Sequence, residues 1–294
     1  MSEPPDQLRV AALQFDVRRG ELDANLERVE RGIDEALKEG VELLALPELW
    51  PTGFDVGGGV FGSEEECERA LLANARAWMR VASRTRSAPI AIAGSHLAAA
   101  EADGAKSPAP FNRFSVLADG RELVNFDKLH LFTPTGEPLA FAAGTRTPKV
   151  GYWRGIGLGG LVCYDLRFGP ACDALIVQRP EVIVVPAQWP TPRAATWRAL
   201  IAGRAAEAQA AVIGSNRTGE DGLGERREPI RFGGDSLVAG PDGVLLAEAP
   251  GREGLVIADV DLAALRRLRR EVPVQRDRRE PVEGVWASPK PSHG

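Results

Sequence analysis

The order of the apolar segments constrains the fold of this chain more than any other feature of its sequence. Residues 8–15 have the composition of a buried strand, and residues 22–38 carry apolar side chains at helical spacing. A second strand is predicted over residues 41–46, and the alternation returns with a helix over residues 64–86 and a short buried strand over residues 89–94. Strands that alternate with helices predict an α/β protein.

Antiparallel strands are predicted to interrupt this alternation at two hairpins. The first surrounds Asp119-Gly120, a dipeptide that favours the primed turns of hairpins, and the second surrounds Pro241-Asp242-Gly243. A last helix is predicted to begin after Asp261, which caps it. The other predicted elements are strands over residues 112–118, 122–127, 157–162, 182–186, 211–215, 235–239, 244–248 and 254–260 and helices over residues 170–178 and 192–209. We therefore expect parallel and antiparallel strands in the same sheet.

No internal repeat or linker divides the chain, so residues 1–272 are predicted to form one domain. The tail over residues 273–294 is rich in proline and charge and cannot bury much apolar surface. It is predicted to be either mobile or tied down at a subunit interface. Residues 219–231 are similarly polar and are predicted to form an exposed loop.

The composition argues against several classes of protein. Lys and Arg number 36 against 41 Asp and Glu, and only the Arg-rich run near residues 266–270 forms a block, so a nucleic-acid partner is not indicated. No stretch approaches the roughly 18 apolar residues of a membrane span, and residues 1–7 lack the apolar core of an export signal. The three cysteines are too few and too irregularly spaced for a disulfide framework or a metal site. We expect a reduced, cytoplasmic protein without a metal.

Cys163 lies where an apolar strand ends and a polar turn containing Gly and Pro begins. The carboxyl end of a strand is where α/β enzymes place their chemistry, and a thiol there is a candidate nucleophile. Taken alone, a free cysteine is more often a buried small hydrophobe. Cys67 and Cys172 keep that interpretation, because both fall within predicted helices.

Glu48 and Lys128 also follow predicted strands and are surrounded by apolar residues. Taken alone, Glu48 is more often a solvated acid, and Lys128 more often pairs with Asp127 or another carboxylate. His130 is more often packed or hydrogen-bonded than catalytic. As a set, however, Glu48, Lys128 and Cys163 are expected to end separate strands of one sheet and to meet at its carboxyl edge.

These residues resemble the motifs of the nitrilase superfamily of carbon-nitrogen hydrolases. The likeness rests on Leu46-Pro47-Glu48, Asp127-Lys128-Leu129-His130-Leu131 and Val162-Cys163-Tyr164-Asp165-Leu166-Arg167-Phe168, in that order and context. The resemblance implies a four-layer αββα sandwich for residues 1–272, without metal or organic cofactor. It also implies roles for four residues: Cys163 as nucleophile at a sharp elbow, Glu48 as general base, Lys128 as oxyanion stabiliser, and Glu137 as a further carboxylate that orients Lys128 or helps to place the leaving amine.

Within the superfamily, residues 188–193 and 197–200 look closest to ω-amidases, which hydrolyse the terminal amide of dicarboxylic acid monoamides of the 2-oxoglutaramate or 2-oxosuccinamate type. The candidate substrate-binding residues are Phe54, Tyr164, Trp189 and Arg193, of which Arg193 could hold a substrate carboxylate. Specificity is expected to depend on the loops over residues 53–63 and 219–231.

Other functions stay open at this point. The alternatives are an N-carbamoyl amino acid hydrolase, an aliphatic amidase, or a catalytically silent binding protein on the same fold. A cysteine protease is disfavoured, because no His is paired by its context with Cys163. The expected partners are a small-molecule amide and water, with no nucleic acid and no membrane. The resemblance further implies a homodimer or higher homo-oligomer, formed through residues 170–178, residues 192–208 and the tail.

Overall fold

The computed structural model describes residues 4–53, 64–99, 109–222 and 229–279, together with the backbone of residues 101–102, 105–106, 281–282 and 285–286. The strands in chain order are β1 (Gln7–Gln14), β2 (Leu43–Ala45), β3 (Ala91–Ala98), β4 (Glu101–Ala102), β5 (Ala105–Lys106), β6 (Phe111–Ala118), β7 (Arg121–Asp127), β8 (Gly151–Trp153), β9 (Ile156–Gly160), β10 (Val182–Ala187), β11 (Ala211–Asn216), β12 (Thr218–Asp221), β13 (Ile230–Ala239), β14 (Leu245–Pro250), β15 (Gly254–Asp261), β16 (Pro281–Val282) and β17 (Val285–Trp286). The helices are α1 (Leu22–Lys38), α2 (Glu64–Ser87), α3 (Gly169–Ile176), α4 (Ala194–Ala208), α5 (Leu262–Glu271) and α6 (Val274–Asp277).

Two mixed sheets form the centre of the molecule. The first has six strands in the order β15-β1-β2-β3-β6-β7, with β1, β2 and β3 parallel and the other neighbours antiparallel. The second has seven strands in the order β12-β13-β11-β10-β9-β8, with β14 beside β13 and with β9, β10 and β11 parallel. The first hairpin predicted from the sequence joins β6 to β7, and Asp119 and Gly120 at its turn both have positive φ, of 54° and 72°.

The two sheets pack face to face, with helices outside them. Alternate residues of β1 point to opposite faces. Val10 therefore belongs to the core that continues into the second sheet, whereas Leu13 packs with Ile33 of α1 on the outside. On the other side, Trp197 of α4 covers β11 so closely that a Cβ at Gly214 would lie 2.5 Å from its ring. The arrangement is the four-layer αββα sandwich that the resemblance implied.

The helices largely follow the bounds predicted from the sequence. The predicted α1 spans the same residues as the observed helix, and Asp261 caps α5 by accepting a hydrogen bond from the Ala264 N–H at 2.7 Å. The prediction of an exposed loop over residues 219–231 was wrong at both ends. Thr218–Asp221 forms β12 and pairs with the beginning of β13, because its backbone groups complete the edge of the second sheet. Residues 223–228 of that loop lie outside the described residues.

The tail begins with the short helix α6, and Arg278 then forms an ion pair with Asp173 of α3, with Nη2 and Oδ2 2.7 Å apart. Most of the remaining tail lies outside the described residues, so the division of the chain at residue 272 stays a prediction. In the part of the chain that the structure describes, no helix is both long and apolar enough to cross a membrane.

Candidate active site

Glu48 lies just beyond β2, where three hydrogen-bond donors hold its carboxylate. Oε1 accepts from Lys128 Nζ at 2.8 Å and from Asn112 Nδ2 at 2.9 Å. Oε2 accepts from the backbone N–H of Gln188, also at 2.9 Å. Only 1% of Glu48 is exposed, so these donors replace the water that a carboxylate would otherwise bind. The side chain therefore has one fixed orientation.

Lys128 lies between two buried carboxylates. Its Nζ is 2.8 Å from Glu48 Oε1 and 2.8 Å from each carboxylate oxygen of Glu137, which also accepts from the Phe132 N–H. Burial alone would lower the pKa of Lys128, but the charges of Glu137 and Glu48 outweigh burial and raise that pKa above its ordinary value. Burial also raises the pKa of Glu137, a shift that Lys128 opposes and Glu48 reinforces. Lys128 is therefore an ammonium ion.

Cys163 begins a 3₁₀ turn after β9 and is the residue at which the chain changes direction. Its φ of 44° is a conformation that side chains other than Gly seldom adopt, and only 8% of the residue is exposed. The residue lines the same pocket as Glu48, Lys128 and Gln188. Burial, followed by the charge of Glu48, raises the pKa of Cys163 well above its ordinary value, although Lys128 opposes the shift. The resting side chain is therefore a neutral thiol.

The expectation that these residues end strands of one sheet was wrong. Glu48 and Lys128 follow β2 and β7 of the first sheet, whereas Cys163 follows β9 of the second. The β8–β9 hairpin begins a new sheet after β7 instead of extending the first one. The residues nevertheless meet, because the ends of β2, β7 and β9 reach the same pocket, which Glu48, Lys128 and Cys163 line together.

Three of the four predicted substrate-binding residues lie beside Cys163. Tyr164, Trp189 and Arg193 line a pocket that also includes Cys163 and Arg167. The indole N–H of Trp189 donates to the Arg193 carbonyl at 2.9 Å, and its backbone N–H donates to the Asn216 side chain at 2.7 Å. Phe54 and the rest of the predicted specificity loop over residues 54–63 lie outside the described residues.

Two guanidinium groups face this pocket, each over an aromatic ring. Arg193 Cζ lies 5.8 Å from the ring centroid of Phe132, and Arg167 Cζ lies 4.9 Å from that of Trp189. Both arginines are exposed, and no carboxylate is among the described residues that line the pocket. The described residues that line this pocket therefore carry a net positive charge.

Sequence reasoning missed part of the site. Asn112 and Arg217 were not singled out, and Gln188 entered only as part of a resemblance. Gln188 and Arg217 directly follow the buried strands β10 and β11, so the rule that selected Glu48 could have selected them. Asn112 gives no such signal, since it lies near the beginning of β6. His130 is held as expected, with Nδ1 2.8 Å from Asp165 Oδ1 and its ring stacked on Phe168.

No cluster of His, Cys, Asp and Glu suited to a metal ion occurs among the described residues. The pocket instead brings together a thiol, a carboxylate, and an ammonium ion that is paired with this carboxylate. This arrangement can carry out nucleophilic attack on a carbonyl group, with a base to accept the proton and a cation to stabilise the oxyanion.

Comparison with known proteins identifies the class. The sequence profile of the carbon-nitrogen hydrolase family matches residues 9–270, and the chain belongs to that family. The omega-amidase YafV of Escherichia coli K12 is 32% identical over 271 residues, which cover 92% of this chain and 96% of the relative. The 2-oxoglutaramate amidase of Bacillus subtilis is 30% identical over 274 residues, which cover 92% and 97%.

Solved structures show the same architecture. An amidase from Nesterenkonia sp. superposes with a TM-score of 0.74 at 25% identity, covering 90% of this chain and 95% of that protein. A carbon-nitrogen hydrolase from Helicobacter pylori G27 superposes with a TM-score of 0.80 at 21% identity, covering 93% and 96%, and this likeness concerns the fold alone. The nitrilase-type fold and the family predicted from the motifs are thus confirmed.

Proposed function

We propose that this protein is an ω-amidase, which hydrolyses the terminal amide of a dicarboxylic acid monoamide of the 2-oxoglutaramate or 2-oxosuccinamate type. The observation that carries the proposal is the pairing of the Cys163 pocket with two guanidinium groups, Arg167 and Arg193, at the same entrance. An amide carbonyl at the sulfur and a carboxylate at the arginines are the two ends of such a substrate. The names of the relatives from Escherichia coli and Bacillus subtilis agree with this assignment.

The proposed cycle begins with proton transfer from Cys163 to Glu48. Glu48 Oε1 already accepts two hydrogen bonds, whereas Oε2 accepts one, so Oε2 is the oxygen that takes the proton. The sulfur then forms a bond to the amide carbon as the carbonyl π electrons move to oxygen. Lys128 stabilises this oxyanion by its charge, and the backbone N–H of Tyr164 stabilises it by a hydrogen bond, since the first N–H groups of a helical turn have no partner within the turn.

The carbon–nitrogen bond breaks next. Glu48 returns the proton to the departing nitrogen, which leaves as ammonia, and the carbonyl re-forms as a Cys163 thioester. Water then gives a proton to Glu48 and attacks the thioester carbon; the carbon–sulfur bond breaks, Glu48 returns the proton to the sulfur, and the carboxylic acid leaves. Glu137 takes no proton in this cycle. It holds Lys128 in place and keeps it charged.

Substrate screening tests the proposal. Ammonia release should be fastest with the monoamides of 2-oxoglutarate and 2-oxosuccinate, compared with the monoamides of glutarate and succinate, glutamine, asparagine, N-carbamoyl amino acids and an aliphatic nitrile. Release of carbon dioxide together with ammonia would instead identify an N-carbamoyl amino acid hydrolase. Equal rates on charged and uncharged amides would indicate an aliphatic amidase. If the protein turns over none of these compounds, and if an amide-like electrophile does not alkylate Cys163, the protein is a catalytically silent binding protein.

The carboxylate-binding role of Arg193 has its own test. Replacement by Ala should reduce kcat/KM for the charged monoamide by about 10-fold to 100-fold, the range expected for a lost charge-assisted hydrogen bond, and should spare an uncharged amide of equal length. Arg198→Ala is the matched control, because Arg198 is an exposed arginine of α4 that pairs with Glu248. Equal losses on charged and uncharged amides would remove this role from Arg193.

We also propose a cytoplasmic homodimer that uses α3, α4 and the tail after residue 272. The ion pair between Arg278 and Asp173 supports the tail as part of this surface, because it holds the start of the tail against α3. Light scattering after gel filtration of the full chain and of a chain that ends at residue 272 would test both the dimer and the role of the tail. A monomer in both cases would refute the interface. Cell fractionation tests the compartment.

A further inference from the structure

A buried arginine lies behind the site and takes no part in the cycle described above. Arg217 follows β11, and only 1% of it is exposed. Its Nη2 donates to Asp16 Oδ1 at 2.8 Å, its Nη1 to Asp221 Oδ2 at 3.1 Å, and its Nε to the Thr218 carbonyl at 3.0 Å. A second hydrogen bond from Nη1 runs to Gln188 Oε1, also at 3.1 Å. The two carboxylates already offset the charge of the guanidinium, so the bond to Gln188 is not needed for that purpose.

Gln188 joins this arginine to the candidate base. Its side-chain Nε2 donates to the Glu48 backbone carbonyl at 2.8 Å, and its backbone N–H donates to Glu48 Oε2 at 2.9 Å. Gln188 therefore holds both the main chain and the carboxylate of Glu48. Only 7% of Gln188 is exposed, so water has little access to either contact.

Arg217 determines which way the Gln188 amide points. A guanidinium group can only donate hydrogen bonds, so the amide oxygen must face Arg217 and the amide nitrogen must face Glu48. If the amide were turned over, two donors would oppose each other at Arg217 and two acceptors at the Glu48 carbonyl. In a buried site each of those mismatches is costly. The same guanidinium also lies 4.7 Å from the ring centroid of Phe232, which lines the pocket with Glu48 and Cys163.

We propose that Arg217 is a positioning residue for the amidase reaction, which acts through Gln188 to keep Glu48 Oε2 aligned with the Cys163 thiol. Arg217 is not among the described residues that line the two pockets containing Cys163. Its effect is on the geometry of proton transfer, so it changes kcat and leaves substrate binding nearly intact. The inference rests on the proposed role of Glu48 as general base.

A double-mutant cycle tests this inference. It compares the parent with Arg217→Met, with Gln188→Met and with the variant that carries both substitutions. Each single variant should lower kcat by on the order of 10-fold to 100-fold, the loss expected from a small misplacement of catalytic groups, with KM changed by less than about threefold. The double variant should lose no more than the worse single variant, because both changes remove the same link. Arg217→Lys should recover part of kcat. Arg266→Met is the control, since Arg266 is a partly buried arginine paired with Glu181 and remote from the site.

A second readout does not need turnover. The rate at which iodoacetamide alkylates Cys163, followed by mass spectrometry as a function of pH, reports how readily Glu48 takes the thiol proton. The profile of Arg217→Met should shift to higher pH, while that of Arg266→Met should follow the parent. If Arg217→Met does not fold, Gln188→Met carries the test, because it leaves the ion pairs of Arg217 in place. Parental kcat and a parental alkylation profile in Gln188→Met would overturn the inference.

The outcomes separate this inference from the proposed function. Two results would show that Arg217 does not act through Gln188. One is a loss of kcat in the double variant that equals the product of the two single losses, and the other is a loss in Arg266→Met as large as that in Arg217→Met. If Glu48→Gln keeps parental kcat and alkylation, the assignment of the base fails, and the inference fails with it. If Glu48→Gln is inactive while folded Arg217→Met behaves as the parent, only the inference fails.

Discussion

Removal of the Lys128 ammonium is expected to cost both stability and activity. Its Nζ lies 2.8 Å from carboxylate oxygens of both Glu48 and Glu137, and all three side chains are at most 1% exposed. In Lys128→Met the two carboxylates would share a buried site without a cation. One of them can become neutral by binding a proton, but the other stays an uncompensated charge. Breaking a buried pair in this way costs about 3–5 kcal/mol of unfolding free energy. Loss of oxyanion stabilisation should lower kcat by about 10²-fold to 10³-fold.

The pH dependence of the unfolding free energy of Lys128→Met takes its sign from the numbers of protons that the folded and the unfolded chain bind. In the parent, burial and the charge of Glu48 raise the pKa of Glu137 while Lys128 opposes the shift, so in Lys128→Met the folded-state pKa of Glu137 should rise further above that of the unfolded chain. The folded variant then holds more protons than the unfolded one, so its unfolding free energy falls as pH rises. The slope is at most about 1.4 kcal/mol per pH unit for each extra proton. The deficit relative to the parent should therefore be smallest near pH 5 and should grow towards pH 8.

Urea denaturation of the parent, Lys128→Met and Lys149→Met across this pH range measures the effect. Lys149 is an exposed lysine, so its replacement should leave stability and kcat within about 0.5 kcal/mol and twofold of the parent. A constant offset between Lys128→Met and the parent at every pH would refute the argument that unpaired carboxylates cause the loss. Parental kcat in a folded Lys128→Met would refute the role in catalysis.

Two further predictions concern the nucleophile and the packing of the sheets. Cys163→Ala should abolish ammonia release with an unchanged melting temperature, whereas Cys172→Ala should stay active; activity in the first variant would remove Cys163 as nucleophile. Gly160→Ala should lower the unfolding free energy by about 1–3 kcal/mol, because its Cβ would lie 2.2 Å from the Phe114 ring in the other sheet. Gly169→Ala is the control, since no atom lies within 4 Å of its Cβ, and equal stability of these two glycine variants would contradict the packing argument.

Local patterns could be read from the sequence where one short segment contains its own physical cause. The bounds of α1 follow from apolar side chains at helical spacing, and the first hairpin follows from Asp119-Gly120, whose residues adopt positive φ. The positions of Glu48 and Cys163 were predictable for a similar reason, since each lies just after a buried strand. In these cases no distant part of the chain is needed to explain the structure.

Other features depend on partners far away in the sequence. Nothing local to Cys163 tells whether its strand extends the first sheet or begins another, and the expectation of a single sheet failed there. The position of Arg217 after a buried strand could be read locally, but its ion pair could not, because its carboxylate partner Asp16 lies 201 residues earlier. Asn112 donates to Glu48 from the beginning of a strand, where no rule drawn from strand ends would look for it. β12 was missed because a short polar edge strand gains its order from the strand beside it.

The proposed base and the proposed nucleophile follow strands of different sheets, so reactivity is expected to depend on residues that do not contact the substrate. Glu48 follows a strand of the first sheet and Cys163 a strand of the second, and Gln188 of the second sheet joins the two by its hydrogen bonds to Glu48, so a change in the packing between the sheets is expected to change the distance that a proton must cross. A substitution between the sheets, such as Gly160→Ala beside Phe114, is therefore expected to change kcat although it replaces no residue of the pocket.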